Sequence, residues 1–162
     1  MKFSAAHIIS VVHDRMLVNS KELHSFLEYL CGIKLHTVNL AAACDYCKIP
    51  LFQQFSWVDK LVFGSLDKRL AAIGDEAGFL DRGLDTSPEK YDPNVASKIA
   101  SRAPDVDGKV REVYSEWLKE VHKRIKGNEF EVKTLAEMGN VRALSNGYFT
   151  NWWLKQREKD SF

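Results

Sequence analysis

The clearest pattern in the chain lies between Gly108 and Gly127, where apolar residues recur every three or four positions. This spacing places the apolar residues on one face of an α-helix, which predicts that this face is buried. The opposite face carries glutamates in its first half and basic residues in its second half, which is the order that the helix dipole favours. The apolar positions of this predicted core helix are Val110, Val113, Tyr114, Trp117, Leu118, Val121 and Ile125.

Two segments near the amino terminus also have a pattern. The apolar segment after Ser4 fits a helix or a strand equally well, because it holds two pairs of β-branched residues. A stripe of leucine and phenylalanine then begins after Asn19 and Ser20, which can cap a helix. Gly32 follows this stripe at the position of a left-handed C-terminal residue, so the second segment predicts a complete helix.

Three more helical segments are predicted before residue 75. Thr37 can cap a helix that runs through the alanines at 41–43, and Pro50 is expected to end it. Residues 51–63 are too apolar for a solvated loop and predict a helix in the core. A short helix is predicted over residues 64–74, where glycines stand at both ends.

Residues 75–107 differ in composition from both flanks. They contain three prolines and two glycines, and acidic residues outnumber basic ones. This composition predicts short helices in a mobile, solvated connection. Neither flank has a pattern that suggests a core of its own. We therefore predict a single globular domain over residues 1–162, with the mobile connection at 75–107.

The carboxyl-terminal part combines one strand signal with helix signals. Apolar and charged residues alternate in a pattern that predicts at most one short β element, near 129–133. Thr134 and Glu137 have the spacing of a capping box, which predicts a short helix through Met138. Asn146-Gly147 predicts a turn before a final aromatic segment. The fold class predicted from these patterns is mostly α, a compact multi-helix single domain.

Composition and charge exclude several classes of protein. The chain has 162 residues, 45% hydrophobic and 28% charged, which is typical of one soluble globular domain. A net charge of +1 gives no overall attraction to nucleic acid or anionic membranes. The sequence has no apolar run of about 18 residues and no signal-peptide pattern, so we expect a cytoplasmic protein without a membrane partner. Three cysteines without disulfide-rich spacing fit a reducing compartment.

Cys44 and Cys47 have the sharpest metal-like spacing, and His36 precedes them by eight residues. A zinc site needs about four nitrogen or sulfur ligands, and the second half of such a motif is missing here. Two cysteines in an alanine-rich helix are more typical of small buried packing positions. We therefore expect no metal and no cofactor, with these three residues as the weak alternative.

The sequence contains no recognisable catalytic motif. Its five histidines are scattered, and none lies beside a serine or cysteine in a nucleophile setting. A Walker loop, a dinucleotide-binding glycine motif and the HExxH motif are all missing from the sequence. We therefore expect a protein without enzymatic activity.

A basic and aromatic set of residues is the best candidate for a partner-binding surface. Basic residues interleaved with aromatics can bind phosphates and stack on bases, although Glu158 and Asp160 weaken this pattern. In the simpler interpretation, the aromatics dock a last helix in the core. Adjacent tryptophans diverge by about 100° on a helix, which leaves one aromatic residue as an anchor for a partner. The candidate residues are Lys119, Lys123, Arg124, Lys126, Tyr148, Trp152 and Trp153.

Several runs at both ends of the chain carry a resemblance to a known group of proteins. In the amino-terminal part these are IISVVHDRML, LEYLCG and LHTVNLAAA. In the carboxyl-terminal part they are Trp117-Leu118, the basic helix that follows, Gly127 and the run FEVKTL. In these runs the chain resembles a group of small, uncharacterised accessory proteins of tailed bacteriophages and prophages. Where that group has Thr-His-Gln-Leu-Pro-Arg, this chain reads TVNLAA from Thr37 onward, so the histidine, proline and arginine are absent. The resemblance implies a phage-type accessory origin and no particular reaction.

Small phage accessory proteins without catalytic motifs commonly act by occupying a surface of a host protein. Our leading hypothesis is therefore a protein that binds and inhibits a bacterial host protein or complex, with defence complexes such as CRISPR among the candidate targets. The alternative is a nucleic-acid-binding protein that uses the basic and aromatic residues named above. A small homo-oligomer is compatible with either hypothesis.

Overall fold

Helices dominate the structure, a computed structural model that describes residues 1–76, 93–140 and 142–160. The described residues form six helices and one short two-stranded sheet, which confirms the predicted mostly α-helical class. No helix among them is long and apolar enough to cross a membrane. The elements are β1 (Lys2–Ser4), α1 (Ala5–Val12), α2 (Ser20–Cys31), α3 (Leu40–Gln54), α4 (Gly64–Glu76), α5 (Pro93–Ile125), β2 (Glu129–Glu131) and α6 (Asn146–Asp160).

The chain divides into two compact units. The first unit combines Met1–Lys60 with Ile125–Phe162, and the second spans Leu61–Arg124. The first unit holds α1, α2, α3, α6 and the sheet, and the second holds α4 and nearly all of α5. The single domain that we predicted over residues 1–162 stays a prediction. Residues 77–92 of the predicted mobile connection lie outside the described residues, so its mobility also stays a prediction.

Helix α1 lies at the centre of the first unit and contacts both α2 and α3. Its β-branched pairs, Ile8 with Ile9 and Val11 with Val12, are all buried. A helix that is apolar on nearly every side is stable only when other elements surround it. The choice between helix and strand that the sequence left open is thus decided by the neighbours of α1.

Helix α2 confirms the predicted start and stop signals. The side chain of Asn19 accepts a hydrogen bond from the backbone nitrogen of Glu22 at 2.8 Å, and the Glu22 carboxylate accepts one from the backbone nitrogen of Asn19 at 3.0 Å. This is a complete capping box. Gly32 ends the helix with a φ of 71°, in the left-handed region that glycine tolerates best.

The predicted end of the third helix at Pro50 is wrong. Helix α3 continues through Pro50 to Gln54, after a 3-10 turn at Thr37–Asn39. A proline inside a helix costs about 3 kcal/mol, because it removes one hydrogen bond and crowds the preceding turn. Burial of Leu51, which lies directly after Pro50, offsets this cost.

The core helix predicted over residues 51–63 is also wrong. Residues 51–54 belong to α3, and a 3-10 turn follows at Ser56–Lys60. The chain leaves the helical conformation at Phe55, which has a φ of −130° and a ψ of 85°. Phe55 and Val58 are buried, whereas Val62 is exposed, so the apolar density of this segment does not form one continuous core face.

Two predicted helix boundaries at glycines are wrong as well. Helix α4 runs past Gly74 to Glu76, and α5 begins at Pro93 and passes through Gly108. Residues 93–107 are therefore part of one long helix and do not form short helices. A glycine inside a helix costs about 1 kcal/mol relative to alanine, which lowers stability but does not stop the helix.

The short strand predicted near 129–133 is confirmed as β2. Its partner β1 was not predicted, and the two strands pair antiparallel with Phe3 opposite Phe130. Each strand has three residues, which is too short for an alternating pattern to stand out in the sequence. The sequence predicted at most one short β element, and the described residues contain two short strands.

Two predicted features near the carboxyl terminus differ from the structure. Thr134 and Glu137 form the reciprocal hydrogen bonds of a capping box, at 3.0 and 3.2 Å, but the chain makes a turn after them in place of a helix. Asn146-Gly147, predicted as a turn, forms the first two residues of α6. The same local signal can thus begin either a helix or a turn, and the residues that follow decide which of the two forms.

Candidate protein-binding surface

Aromatic residues attach helix α6 to helix α3. The ring of Tyr46 on α3 meets the rings of Tyr148, Phe149 and Trp152 edge to face, with centroid distances of 5.8, 5.7 and 6.5 Å. Phe149 is completely buried in the core of the first unit. Edge-to-face pairs of this kind add stability beyond the area they bury, so the inner face of α6 is firmly held.

A pair of asparagines, which we call the asparagine clamp, holds the start of α6. The Asn146 side-chain oxygen accepts hydrogen bonds from the His36 backbone nitrogen at 2.8 Å and from the Asn39 side chain at 3.1 Å. Its nitrogen donates to the Lys34 carbonyl at 3.0 Å. Asn39 is buried, and its oxygen accepts a hydrogen bond from the Thr150 hydroxyl at 3.0 Å. The clamp therefore fixes both the position and the direction of α6.

Replacing Asn146 with alanine is expected to lower the free energy of unfolding by about 2 kcal/mol, because the buried Asn39 side chain and the backbone groups of Lys34 and His36 lose their hydrogen bonds. Urea unfolding followed by circular dichroism measures this change. The matched control is Asn151→Ala, which removes an exposed asparagine of the same helix and is expected to change stability by less than about 0.5 kcal/mol. Equal effects of the two substitutions would show that the clamp does not hold α6.

Three apolar residues remain exposed beside this attachment. Trp153 is 40% exposed, Leu154 is 51% exposed, and Val38, in the 3-10 turn before α3, is 86% exposed. Thr150 is hydrogen-bonded to Asn39, the neighbour of Val38. Residues three and four positions after Thr150 lie on the same side of the helix, so Trp153 and Leu154 lie on the side of α6 from which Thr150 reaches the neighbour of Val38. We call these three residues the α6 patch.

Charged residues follow the α6 patch along the last turns of the helix. Lys155, Arg157 and Lys159 are exposed, and so are Glu158 and Asp160. The last turn carries two of these basic residues. The charge is therefore mixed, as the sequence indicated, with a small basic excess.

The predicted aromatic anchors have different environments. Trp152 and Tyr148 are half-buried against Tyr46, and the Tyr148 hydroxyl accepts a hydrogen bond from Arg142 at 2.8 Å. Trp153 is the most exposed of the three aromatic residues that we predicted to bind a partner. It is the residue best placed to act as the anchor.

The predicted basic residues near the end of α5 are exposed, but they are not an uninterrupted basic surface. Exposed glutamates lie among them, and Glu116 forms an ion pair with Arg69. Lys126 follows the helix with a φ of 57° and belongs to the first unit, whereas the others belong to the second. The exposed basic residues are Lys119, Lys123, Arg124 and Lys126.

The cysteines are not arranged as the spacing of Cys44 and Cys47 in the sequence suggests. Cys47 is fully buried, and its nearest sulfur partner is Cys31, with the two sulfur atoms 3.8 Å apart. Burial raises the pKa of the Cys44 thiol to about 12, which opposes the thiolate form that zinc requires. His36 is exposed. In the described part of the chain, no group of three or more His, Cys, Asp or Glu residues is placed to hold a metal ion.

The pairing of Cys31 with Cys47 was missed in the sequence. The two residues are 16 positions apart and belong to different helices, α2 and α3, which contact each other. No local spacing rule connects them, because the contact depends on how the two helices pack. The presence of one cysteine on each of two successive predicted helices is the sequence signal that could have indicated this contact.

An open cleft of about 530 Å³ lies beside the sheet. The amide group of Gln54 projects there, donating to the Lys133 carbonyl at 3.0 Å and accepting from the Lys133 backbone nitrogen at 2.8 Å. Glu131, Glu137 and Met138 also line the cleft. Its best-placed polar group, Gln54, is thus already paired with the backbone, so we do not assign a ligand site there.

Comparisons with known proteins identify no relative of this chain. No family model matches the chain, and no curated protein or solved structure matches it either. The resemblance to phage accessory proteins therefore stays a prediction that rests on the sequence runs quoted above. The functional argument depends on the geometry of the α6 patch.

Proposed function

We propose that this protein is a non-enzymatic binding protein that uses the α6 patch to occupy and inhibit a partner protein. The observation that carries the proposal is the exposure of Trp153 and Leu154 on a helix whose inner face is fixed by aromatic packing and by the asparagine clamp. The resemblance of the sequence to phage accessory proteins supports a bacterial host protein as the partner, bound in the cytoplasm. Defence complexes such as CRISPR belong to this class of targets.

Rigid presentation favours binding through a small patch. Association costs free energy when side chains and loops must be ordered, and a helix that is already held in place avoids much of that cost. Tryptophan is one of the residues that most often dominate the binding energy of an interface. A patch centred on Trp153 can therefore support specific binding although it contains few residues.

The side chains of the α6 patch also indicate what kind of partner surface would fit them. Trp153 and Leu154 require an apolar pocket or groove, because burying them against polar groups would gain little. Lys155 and Lys159 follow on the same helix and favour acidic side chains at the rim of that pocket. The expected partner surface is therefore an apolar groove with acidic residues on one side.

The test is affinity capture from bacterial lysate with the full chain. Trp153→Ala is expected to reduce capture of the specific partner at least about tenfold, because loss of an anchor residue costs more than about 1.4 kcal/mol. The matched control is Met16→Ala, which removes a side chain that is 57% exposed in the loop between α1 and α2. This control is expected to capture the partner as well as the unchanged chain does.

Two results would contradict the proposal. In the first, the Trp153→Ala and Met16→Ala variants, both shown to be folded by circular dichroism, capture the same proteins in the same amounts. In the second, the captured partner keeps its full activity at saturating concentrations of this protein, which would remove the inhibitory role.

Nucleic-acid binding is the competing function, and it predicts a different result. Binding through Lys123 and Arg124 would weaken steeply as salt rises and would disappear after nuclease treatment of the lysate. Replacing both residues with alanine would flatten the dependence on salt. Binding with this behaviour, unaffected by Trp153→Ala, would favour the nucleic-acid function over the proposed one.

A further inference from the structure

Cys31 and Cys47 lie in direct contact inside the first unit. Their sulfur atoms are 3.8 Å apart, with one thiol hydrogen-bonded to the other. Cys31 is the last residue of α2 and is half-buried, whereas Cys47 lies in the middle of α3 and is fully buried. One sulfur is thus partly accessible to a small oxidant, and the other is positioned behind it.

The distance between the two sulfur atoms is within reach of a disulfide bond. A disulfide requires the sulfur atoms to approach to about 2.05 Å, so they must move together by less than 2 Å. Cys31 is followed by Gly32, whose lack of a side chain eases adjustment of the helix end, and the space around Gly32 is open.

We propose that Cys31 and Cys47 form a reversible disulfide that links α2 to α3 when the protein reacts with a hydroperoxide. The proposal is independent of the proposed function, because it concerns the inside of the first unit and not the α6 patch. It adds a site of chemical modification that no spacing pattern in the sequence indicates.

The reaction proceeds in two balanced steps. The Cys31 thiol loses its proton, and its sulfur attacks the terminal peroxide oxygen. The O–O bond breaks, and the second oxygen takes up a proton and leaves as water from hydrogen peroxide or as an alcohol from an organic hydroperoxide. Cys31 then carries a sulfenic acid. The Cys47 sulfur attacks the Cys31 sulfur, the S–O bond breaks, and the hydroxyl leaves as water with the Cys47 proton. The two thiols lose two electrons in total, and the hydroperoxide gains them.

The third cysteine has a different environment. The sulfur contact joins Cys31 to Cys47 and does not include Cys44, whose thiol has its pKa raised to about 12 by burial. The hydrogen bond with Cys31, together with burial, raises the pKa of Cys47. The protonated form of Cys47 is therefore favoured, and Cys47 is the cysteine whose sulfur lies in contact with that of Cys31. This difference makes Cys44 the matched control.

The experiment treats the full chain with hydrogen peroxide and measures the intact mass. A loss of about 2 Da, reversed by dithiothreitol, is expected for one disulfide. Peptide mapping without reduction should show Cys31 linked to Cys47. The midpoint of thermal unfolding should rise by about 5 to 10 °C, because the bond closes a loop of moderate length in the unfolded chain. Cys44→Ala should keep the mass loss, and Cys31→Ala should abolish it.

Several outcomes would overturn the proposal. These are a disulfide that maps to Cys44, a covalent dimer, and a mass gain from added oxygen without any cross-link. Peptide mapping of the unchanged chain decides between them even if Cys47→Ala fails to fold. The half-buried position of Cys31 makes Cys31→Ala the safer variant for the mass measurement.

Discussion

Replacing Phe149 with alanine is expected to lower the free energy of unfolding by about 3 to 5 kcal/mol. Phe149 is completely buried, and its ring meets the rings of Tyr46 and Tyr148 at centroid distances of 5.7 Å each. Alanine would leave a cavity at the point where α6 is attached to α3. Urea unfolding followed by circular dichroism at 222 nm, a wavelength that reports helix content, measures the loss.

The control for this prediction is Leu154→Ala on the same helix. Leu154 is about half exposed, so its removal is expected to cost less than about 1 kcal/mol. The two substitutions separate a buried residue of α6, which provides stability, from an exposed residue of the α6 patch, which we propose binds the partner. A Phe149→Ala variant as stable as Leu154→Ala would mean that α6 is not attached through this ring.

Replacing Trp117 with alanine is expected to cost about 3 to 5 kcal/mol in the second unit. Trp117 is only 4% exposed, and its ring lies 5.1 Å from the ring of Phe63. Of the apolar face that the helical pattern predicted to be buried, Trp117 and Val121 are buried and the other positions are half-buried. Loss of intrinsic fluorescence from Trp117 complicates an optical measurement, so unfolding is best followed by circular dichroism.

A graded series tests the cause of this effect. Trp117→Phe keeps a ring that can face Phe63 and is expected to cost less than half as much as Trp117→Ala. Ser115→Ala, an exposed position on the same helix, should leave stability nearly unchanged. If the phenylalanine and alanine variants lost equal stability, ring packing would not be the source of the effect.

Local signals predicted the helices that are capped by their own residues. The predicted cap at Asn19 and the predicted end at Gly32 are both correct for α2, because a side-chain cap and a left-handed glycine depend only on nearby atoms. Pro50 and Gly108 were read as boundaries, but both lie inside helices. Penalties of about 1 to 3 kcal/mol are smaller than what buried neighbours contribute, and sequence alone does not show which positions are buried.

Distant pairings could not be predicted. Strand β1 exists because β2 pairs with it, although more than a hundred residues separate them. The contact between Cys31 and Cys47 depends in the same way on two helices packing together. Both features require the three-dimensional arrangement, because no spacing rule within one segment encodes them.

The candidate surface was predicted only in part. Trp153 was among the candidate residues, but Val38 and Leu154 were not. Apolar residues within a helical or alanine-rich segment are normally assigned to the core, and these two are exposed instead. Exposure depends on where α6 docks, and that position is set by Asn39 and Asn146, whose roles the sequence did not suggest.

The side chain of Gln54 has a consequence for solubility. Its amide forms two hydrogen bonds with the backbone of Lys133, just beyond β2, in the manner of a neighbouring peptide group. Open strand edges are templates for pairing with other chains and for aggregation. A single glutamine therefore occupies the backbone donor and acceptor of Lys133, so that this residue cannot extend pairing from β2 to a strand of another molecule.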